Sequence, residues 1–139
     1  MDLNQERPEG YLYFRSATAS SVTVVDRVLE RSFLLTPERL VEEWPVTSPA
    51  DFDVAAAEQI AALQPEVVLL GTGTRQVFPS HAARVALLRQ RIGIEVMDNG
   101  AACRTYNLLA GEGRRVLAAI ILGPPTQAPR DPARSMPAV

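Results

Sequence analysis

Three short, largely apolar segments in the second half of this 139-residue chain constrain its fold more than any other feature. They cover residues 67–70, 94–97 and 115–122. A continuous apolar run, clearest in residues 67–70, is typical of a strand covered on both faces. Stretches with helical periodicity precede and separate the runs. This half of the chain therefore predicts helices alternating with strands, which is the pattern of an α/β domain.

Polar caps mark where the predicted helices begin. Asp53 is a suitable N-cap for a helix ending near residue 64, and Ser80 for a helix reaching residue 91. Gly93 is a good residue to end that second helix. In this second helix, the residues predicted to face the core are Val85, Leu88 and Ile92. Asp98 or Asn99 can cap a third helix, which ends near residue 110 before two glycines.

The first half predicts short antiparallel strands instead. Residues 11–15 are aromatic, 22–25 are β-branched and 31–35 are apolar, and short polar segments separate them. Prolines between residues 36 and 50 predict turns and irregular chain there. Trp44 is expected to anchor this segment to the core. Because antiparallel strands precede helix crossovers, the predicted sheet is mixed.

Composition excludes several kinds of chemistry. All 14 basic residues are arginine, so no P-loop, Schiff-base or catalytic lysine exists. One cysteine and one histidine allow neither an intrachain disulfide nor a Cys/His zinc site. The net charge of −2 argues against a broad face for nucleic acid. We therefore expect no metal, no cofactor and no nucleic-acid partner.

The two ends differ from the middle of the chain. Residues 1–9 are polar and resemble no signal peptide, and residues 124–139 are rich in proline. We predict one domain over residues 1–123 and a flexible tail over 124–139. The longest run of Val, Leu, Ala and Ile has seven residues, whereas a membrane helix needs about 20. A soluble, cytoplasmic protein without membrane insertion is the expectation.

A glycine pair follows the first apolar run. Gly71, Thr72 and Gly73 stand where backbone amides of an α/β domain can cradle phosphate. The dinucleotide fingerprint needs a third glycine, but Gln76 occupies that position. Two interpretations remain at this stage. The pair either forms a tight turn with positive φ and close backbone approach, or it helps to bind an anion or another small ligand.

The third helix begins with a second candidate group. Cys103 lies near its first turn, where the helix dipole can stabilise a thiolate nucleophile, and His81 opens the neighbouring helix. The alternative is that Cys103 is a small buried hydrophobic residue. Arg104 and Asn107 share one helical face. They either bind a ligand or satisfy a carboxylate and backbone groups within the fold.

Both groups follow predicted strands, and open α/β sheets bind ligands beyond the carboxyl ends of their strands. A ligand in this crevice should be an anion, because Arg75 and Arg104 carry fixed positive charge. The candidate ligand-binding residues are Gly71, Thr72, Gly73, Arg75, Asn99, Gly100, Cys103, Arg104 and Asn107.

Five segments occur in an order that resembles a known family. They are VVLLGTG over 67–73, FP at 78–79, GIEVMD over 93–98, AACRTYNLL over 101–109 and EGRRV over 112–116. Together they resemble the Mth-type domain family, whose members include mitochondrial respiratory complex I assembly factor 3 and the adipogenesis-associated Mth-domain protein.

The resemblance covers roughly residues 10–122 and implies a three-layer α/β fold with a mixed sheet. It implies no established enzymatic activity, and the mitochondrial relatives act as non-enzymatic assembly factors. Asn99 departs from the family pattern, which usually has threonine there, and this change keeps a capping side chain but loses the hydroxyl.

Two functions follow from the sequence. The first is a non-enzymatic interaction or assembly factor with a protein partner, related to respiratory complex I. The second is a small anion-binding or metabolite-binding domain, or a cysteine enzyme, that uses the crevice at the strand carboxyl ends.

Overall fold

A computed structural model describes residues 10–123 of the chain, so the predicted tail lies outside the described residues. The elements in chain order are β1 (Phe14–Ala17), β2 (Val22–Val24), β3 (Arg27–Leu29), β4 (Phe33–Leu35), β5 (Leu40–Val41), α1 (Val54–Ala61), β6 (Val67–Gly71), α2 (His81–Leu88), β7 (Gly93–Met97), α3 (Asn99–Gly111) and β8 (Val116–Ile120).

The main sheet has five strands in the order β5-β4-β8-β6-β7. Strand β6 pairs in parallel with both β7 and β8, so these three strands end at one edge of the sheet. Strand β4 pairs antiparallel with both β8 and β5. The predicted mixed sheet is therefore confirmed. All five residues of β8 are buried, which explains why its sequence is continuously apolar.

The five-stranded sheet forms the middle of three layers. Helices α1 and α2 cover one face, where Ile60 and Leu87 pack with Leu70. Helix α3 and the three-stranded antiparallel sheet β1-β2-β3 cover the other face, where Tyr106 packs with Ile120. Each face of the sheet thus buries its own apolar cluster, as the three-layer α/β fold requires.

The three α-helices of residues 10–123 all begin at the predicted caps. Asp53 Oδ1 accepts a hydrogen bond from the Ala56 N–H at 2.9 Å. Ser80 Oγ accepts from the Ala83 N–H at 3.2 Å, and Asp98 Oδ1 accepts from the Ala101 N–H at 2.8 Å. These side chains satisfy amides that have no partner within the first helical turn.

The predicted end and orientation of α2 were wrong. The helix ends at Leu88, Arg91 takes a φ of 63°, and Gly93 starts β7 instead of ending the helix. Leu88 was predicted to face inward, but 55% of its surface is exposed. Ala83 and Leu87, four residues apart, form the buried face. Ile92 still reaches the core because it follows the helix in non-helical chain.

Two short strands were not predicted, namely β3 and β5. Strands β2 and β3 form a hairpin in which Val25 takes a φ of 56°. The sequence gives no sign of this turn, because valine is unfavourable at positive φ. Strand β5 follows a proline and pairs with β4 over two residues. Trp44 is buried as expected, with its ring edge toward Phe52 at a centroid distance of 6.0 Å.

Candidate functional site

The carboxyl-end edge of the sheet brings the two candidate groups together. The Gly73 N–H donates a hydrogen bond to Asn99 Oδ1 at 3.0 Å. The Asn99 N–H donates in return to the Gly73 carbonyl at 2.8 Å. The loop after β6 and the start of α3 are therefore joined directly, as a crevice between them would require.

Asn99 also reaches the strand on the other side of β6. Its Nδ2 donates to the Ile121 carbonyl at 3.0 Å, just after β8. The side chain is buried. One carboxamide thus ties the ends of β6 and β8 to the start of α3, and both polar ends of that carboxamide have partners within the protein.

The glycine pair is explained by this close contact. A Cβ atom on Gly71 would overlap Asn99 Oδ1 and lie 2.9 Å from Ile120 Cδ1. Gly73 takes a φ of 105°, a conformation that side chains strongly disfavour. Both features that the turn interpretation required, close approach and positive φ, are therefore present.

Thr72 organises the loop that follows. Its Oγ1 donates to the Arg75 carbonyl at 2.7 Å and accepts from the Val77 N–H at 3.0 Å. Its own N–H donates to the Met97 carbonyl. The amides of Thr72 and Gly73, which were expected to face an anion, are therefore already bonded to protein acceptors.

Asn107 faces β1 and not the crevice. The Phe14 N–H donates to Asn107 Oδ1 at 2.9 Å, and Asn107 Nδ2 donates to the Phe14 carbonyl at 2.8 Å. The Tyr106 hydroxyl donates nearby to the Leu12 carbonyl. This part of α3 attaches the three-stranded sheet to the core, in agreement with the second interpretation of Asn107.

Cys103 is only 5% exposed and belongs to the apolar cluster beneath α3. Burial raises the pKa of the Cys103 thiol to about 12, and the positive charge of Arg104 offsets this only in part. At neutral pH the thiol is protonated, so it is a poor nucleophile. Residues 10–123 hold no cluster of three His, Cys, Asp or Glu side chains that could bind a metal.

Arg75 and Arg104 are the remaining candidates at this edge, and both are exposed. The ion pairs of the described chain join Arg27 to Glu42 and Arg114 to Glu66. Neither Arg75 nor Arg104 takes part in an ion pair within residues 10–123. Their guanidinium groups are therefore available to an anionic ligand or to a partner.

A cavity of about 620 Å³ lies at the opposite edge of the sheet, where β6 and β8 begin. Leu63, Pro65 and Ala110 supply apolar lining, and Arg39 and Arg115 stand among its polar residues. No motif in the sequence marks this cavity, because its lining comes from several turns.

Comparison with known proteins places the chain in a family. A family model described as a protein of unknown function (DUF498/DUF598) matches residues 14–121. The chain belongs to this family.

Solved structures agree with the resemblance noted in the sequence. A structural-genomics protein from Xanthomonas campestris is 45% identical with a TM-score of 0.79, over 94% of this chain and 98% of that one. A Bordetella pertussis protein, described as a Mth938-like domain, is 30% identical with a TM-score of 0.71, over 80% of this chain and 85% of that one. The Mth-type resemblance is thereby confirmed.

The chain is also similar to named relatives. These include NADH dehydrogenase (ubiquinone) 1 alpha subcomplex assembly factor 3 from several animals. The Mus musculus protein is 32% identical over 126 residues, which is 88% of this chain and 66% of that protein. The Danio rerio protein is 38% identical over 86 residues, which is 60% of this chain and 48% of that protein. The chain thus spans about half to two thirds of the length of these relatives. Within residues 10–123, no helix has both the length and the apolar character to cross a bilayer.

Proposed function

We propose that this protein is a non-enzymatic interaction and assembly factor, and that the complex it helps to assemble is respiratory complex I. The observation that carries the proposal is the similarity to assembly factor 3, which extends over 88% of this chain in the Mus musculus protein. An assembly factor needs a stable fold and a surface for its partner, and it needs no reactive side chain.

The chemistry of the carboxyl-end edge supports a role without catalysis. The polar side chains that sequence analysis assigned to a ligand are largely used by the fold. Asn99 and Thr72 close the loop after β6, and Asn107 holds β1. The buried Cys103 thiol has a pKa of about 12, which argues against a cysteine enzyme.

Removal of the gene from the organism that encodes the chain tests this proposal. We expect fully assembled complex I to decrease on native gels, with a matching loss of NADH:quinone activity, and the chain itself to restore both. ATP synthase measured in the same membranes is the control. Unchanged complex I, or an equal loss of both complexes, would reject the assembly role.

A second candidate function is the binding of a small anion at the same edge. It rests on one observation, which is that Arg75 and Arg104 are exposed and form no ion pair within residues 10–123. The free charges favour phosphate or carboxylate groups. The internal bonding of the Thr72 and Gly73 amides makes this site weaker than the sequence suggested.

Inorganic phosphate, titrated against the protein and followed by backbone amide shifts, tests the second candidate. Binding should shift residues 71–75 and 98–104 together, weaken as salt is added and vanish in Arg104→Ala. Arg39→Ala is the matched control, because Arg39 is also exposed but lies at the opposite edge. Absence of these shifts at millimolar phosphate would leave the assembly role as the proposal.

A further inference from the structure

One long segment of this mildly acidic protein carries no negative charge. Between Glu66 and Glu95 the sequence has four arginines, one histidine and no acidic residue. The segment comprises β6, the following loop, α2 and the start of β7. These arginines give the segment a surplus of positive charge, which favours acidic partners, and Glu58 of α1 is the acidic residue that lines the groove beside His81 and Arg89.

Large apolar side chains stand exposed within the same segment. Phe78 is 57% exposed, and Val77 and Leu88 are exposed as well. Arg84 lies over the Phe78 ring, with the guanidinium carbon 5.3 Å from the ring centre. Leu88 follows Arg84 by four residues on α2, so the two side chains are neighbours on the helix surface. We call the group Val77, Phe78, Arg84 and Leu88 the α2 face.

The loop that carries Phe78 is held in place by hydrogen bonds. The Val77 N–H donates to Thr72 Oγ1, and Gln76 Nε2 donates to the Val96 carbonyl at 2.8 Å. Pro79 is buried, and Ser80 caps the helix that follows. An aromatic residue fixed in an exposed position loses little entropy on binding, which is the usual property of an interface anchor.

Arg84 is partly buried, and its Nε atom has no hydrogen-bond acceptor within residues 10–123, as is also true of Trp44 Nε1. Because protein atoms cover Nε, a partner can reach only the outer nitrogens of the guanidinium. The guanidinium also stacks on Phe78, so it is already oriented, and a carboxylate is the acceptor that best matches its planar fork.

We propose that the α2 face binds an acidic, apolar segment of a partner protein, in which carboxylates alternate with large apolar side chains. The apolar side chains pack on Phe78 and Leu88, and a carboxylate pairs with Arg84. This inference rests on the proposed function, because it names the surface and the chemistry through which the assembly factor holds its partner.

Selection from a phage library of random 16-residue peptides on the immobilised full chain tests the inference. We expect the selected peptides to be rich in Asp and Glu together with Leu, Phe or Trp. Binding of the synthetic peptides should weaken as salt is added and shift the amides of residues 77–88. Phe78→Ser and Leu88→Ser should each weaken binding about tenfold or more.

Leu108→Ser is the matched control, because Leu108 is 62% exposed on α3 and lies outside the α2 face. It should bind the peptides like the unchanged chain, and thermal unfolding should show that all three variants are folded. Arg84→Gln adds a test of the carboxylate contact. Selection of neutral or basic peptides, no selection at all, or equal binding by the variants would overturn the inference.

A membrane surface is the other source of negative charge. Vesicles of phosphatidylcholine with phosphatidylglycerol test it, and binding to these vesicles without any peptide selection would also overturn the inference. The peptide experiment does not depend on complex I. If gene removal leaves complex I intact while acidic apolar peptides still bind the α2 face, the assembly role fails and the binding surface stands.

Discussion

Helices α2 and α3 both follow strands that end at the carboxyl-end edge of the sheet, yet their side chains do different work. In α3, Asn99, Tyr106 and Asn107 bond to distant backbone groups and hold the layers together. Around α2, Phe78 and Leu88 are exposed, and a buried nitrogen of Arg84 lacks an acceptor within residues 10–123. Polar residues thus stabilise the fold in one helix, while large apolar residues are exposed at the other.

The comparison shows why residue type alone is a poor guide to a site. The segment AACRTYNLL is rich in groups that catalyse reactions in other proteins, but Cys103 and Asn107 are engaged in the fold. The segment around α2 has ordinary helical composition, and its distinguishing features are burial and bonding, which only the structure provides. The comparison predicts large stability effects at the edge bound by α3 and small ones on the α2 face.

The largest effect is expected at the contact between β6 and α3. Gly71→Ala places a Cβ against Asn99 and Ile120, so the Asn99 carboxamide must move away from Gly73 and Ile121. We expect the free energy of unfolding in urea to fall by about 2–4 kcal/mol, from overpacking and from broken buried hydrogen bonds.

Gly123→Ala is the control for that change, because nothing lies within 4 Å of its added Cβ. It should alter the free energy of unfolding by less than about 0.5 kcal/mol. Equal stability of the two variants would mean that the Asn99 contact does not hold the edge together.

Asn107→Ala should have the next largest effect. It leaves the Phe14 N–H and carbonyl without their partners in a partly buried place. We expect a loss of about 2 kcal/mol in urea unfolding. Leu108→Ala, at the neighbouring exposed position, should cost less than about 0.5 kcal/mol. A cost for Asn107→Ala as small as that would show that β1 is attached by its apolar contacts alone.

Cys103 gives a pH-dependent effect. Burial raises its pKa from the ordinary 9.0 to about 12, so the unfolded chain releases the proton before the folded one. The stabilisation from the protonated Cys103 thiol is fully present below the unfolded pKa of 9.0. The free energy of unfolding then falls as the pH rises above that value, because the unfolded chain is deprotonated first. At pH 10 the loss relative to pH 7 should be about 1.4 kcal/mol.

Cys103→Ala removes this contribution and should flatten the decline between pH 7 and pH 10 by that amount. In the unchanged chain, a thiol reagent at pH 7 should react slowly in buffer and quickly in denaturant. Native reaction faster than that of a free thiol would contradict the buried role and return the cysteine enzyme to consideration.

The smallest effects are expected on the α2 face. Phe78→Ser and Leu88→Ser should each change the free energy of unfolding by no more than about 0.5 kcal/mol, because both side chains are exposed. Leu87→Ala, one position away and fully buried, should cost about 2–5 kcal/mol. A severe loss of stability in Leu88→Ser would show that this face is part of the core.

Much of the fold could be predicted from local patterns. The continuous apolar runs gave β6 and β8, and Asp53, Ser80 and Asp98 cap their helices as predicted. The predicted inward face of α2 was wrong because Ile92 was counted as part of the helix, whereas the helix ends at Leu88, three residues before the predicted end. Short apolar helices allow several inward faces, and only contact with α1 and the sheet selects one.

The candidate site was harder to predict because its partners are distant in sequence. Gly71 and Gly73 suggested a close turn, and the structure contains one. The partner of Asn107 is 93 residues away at Phe14, and no local pattern signals that contact. The α2 face could have been suspected from the gap in acidic residues between Glu66 and Glu95, but exposure of Phe78 required the structure.

The position of β8 in the sheet has a consequence for how the chain is made. Among residues 10–123 it is the last strand in sequence but the middle strand of five, lying between β4 and β6. During synthesis the pairs β4-β5 and β6-β7 emerge first, and no strand pairing joins them until residues 116–120 arrive. Such long-range closure slows folding. A nascent chain that stalls before Val116 therefore leaves the edges of β4 and β6 that β8 covers unpaired, so the arrival of residues 116–120 is the step that protects these edges from aggregation.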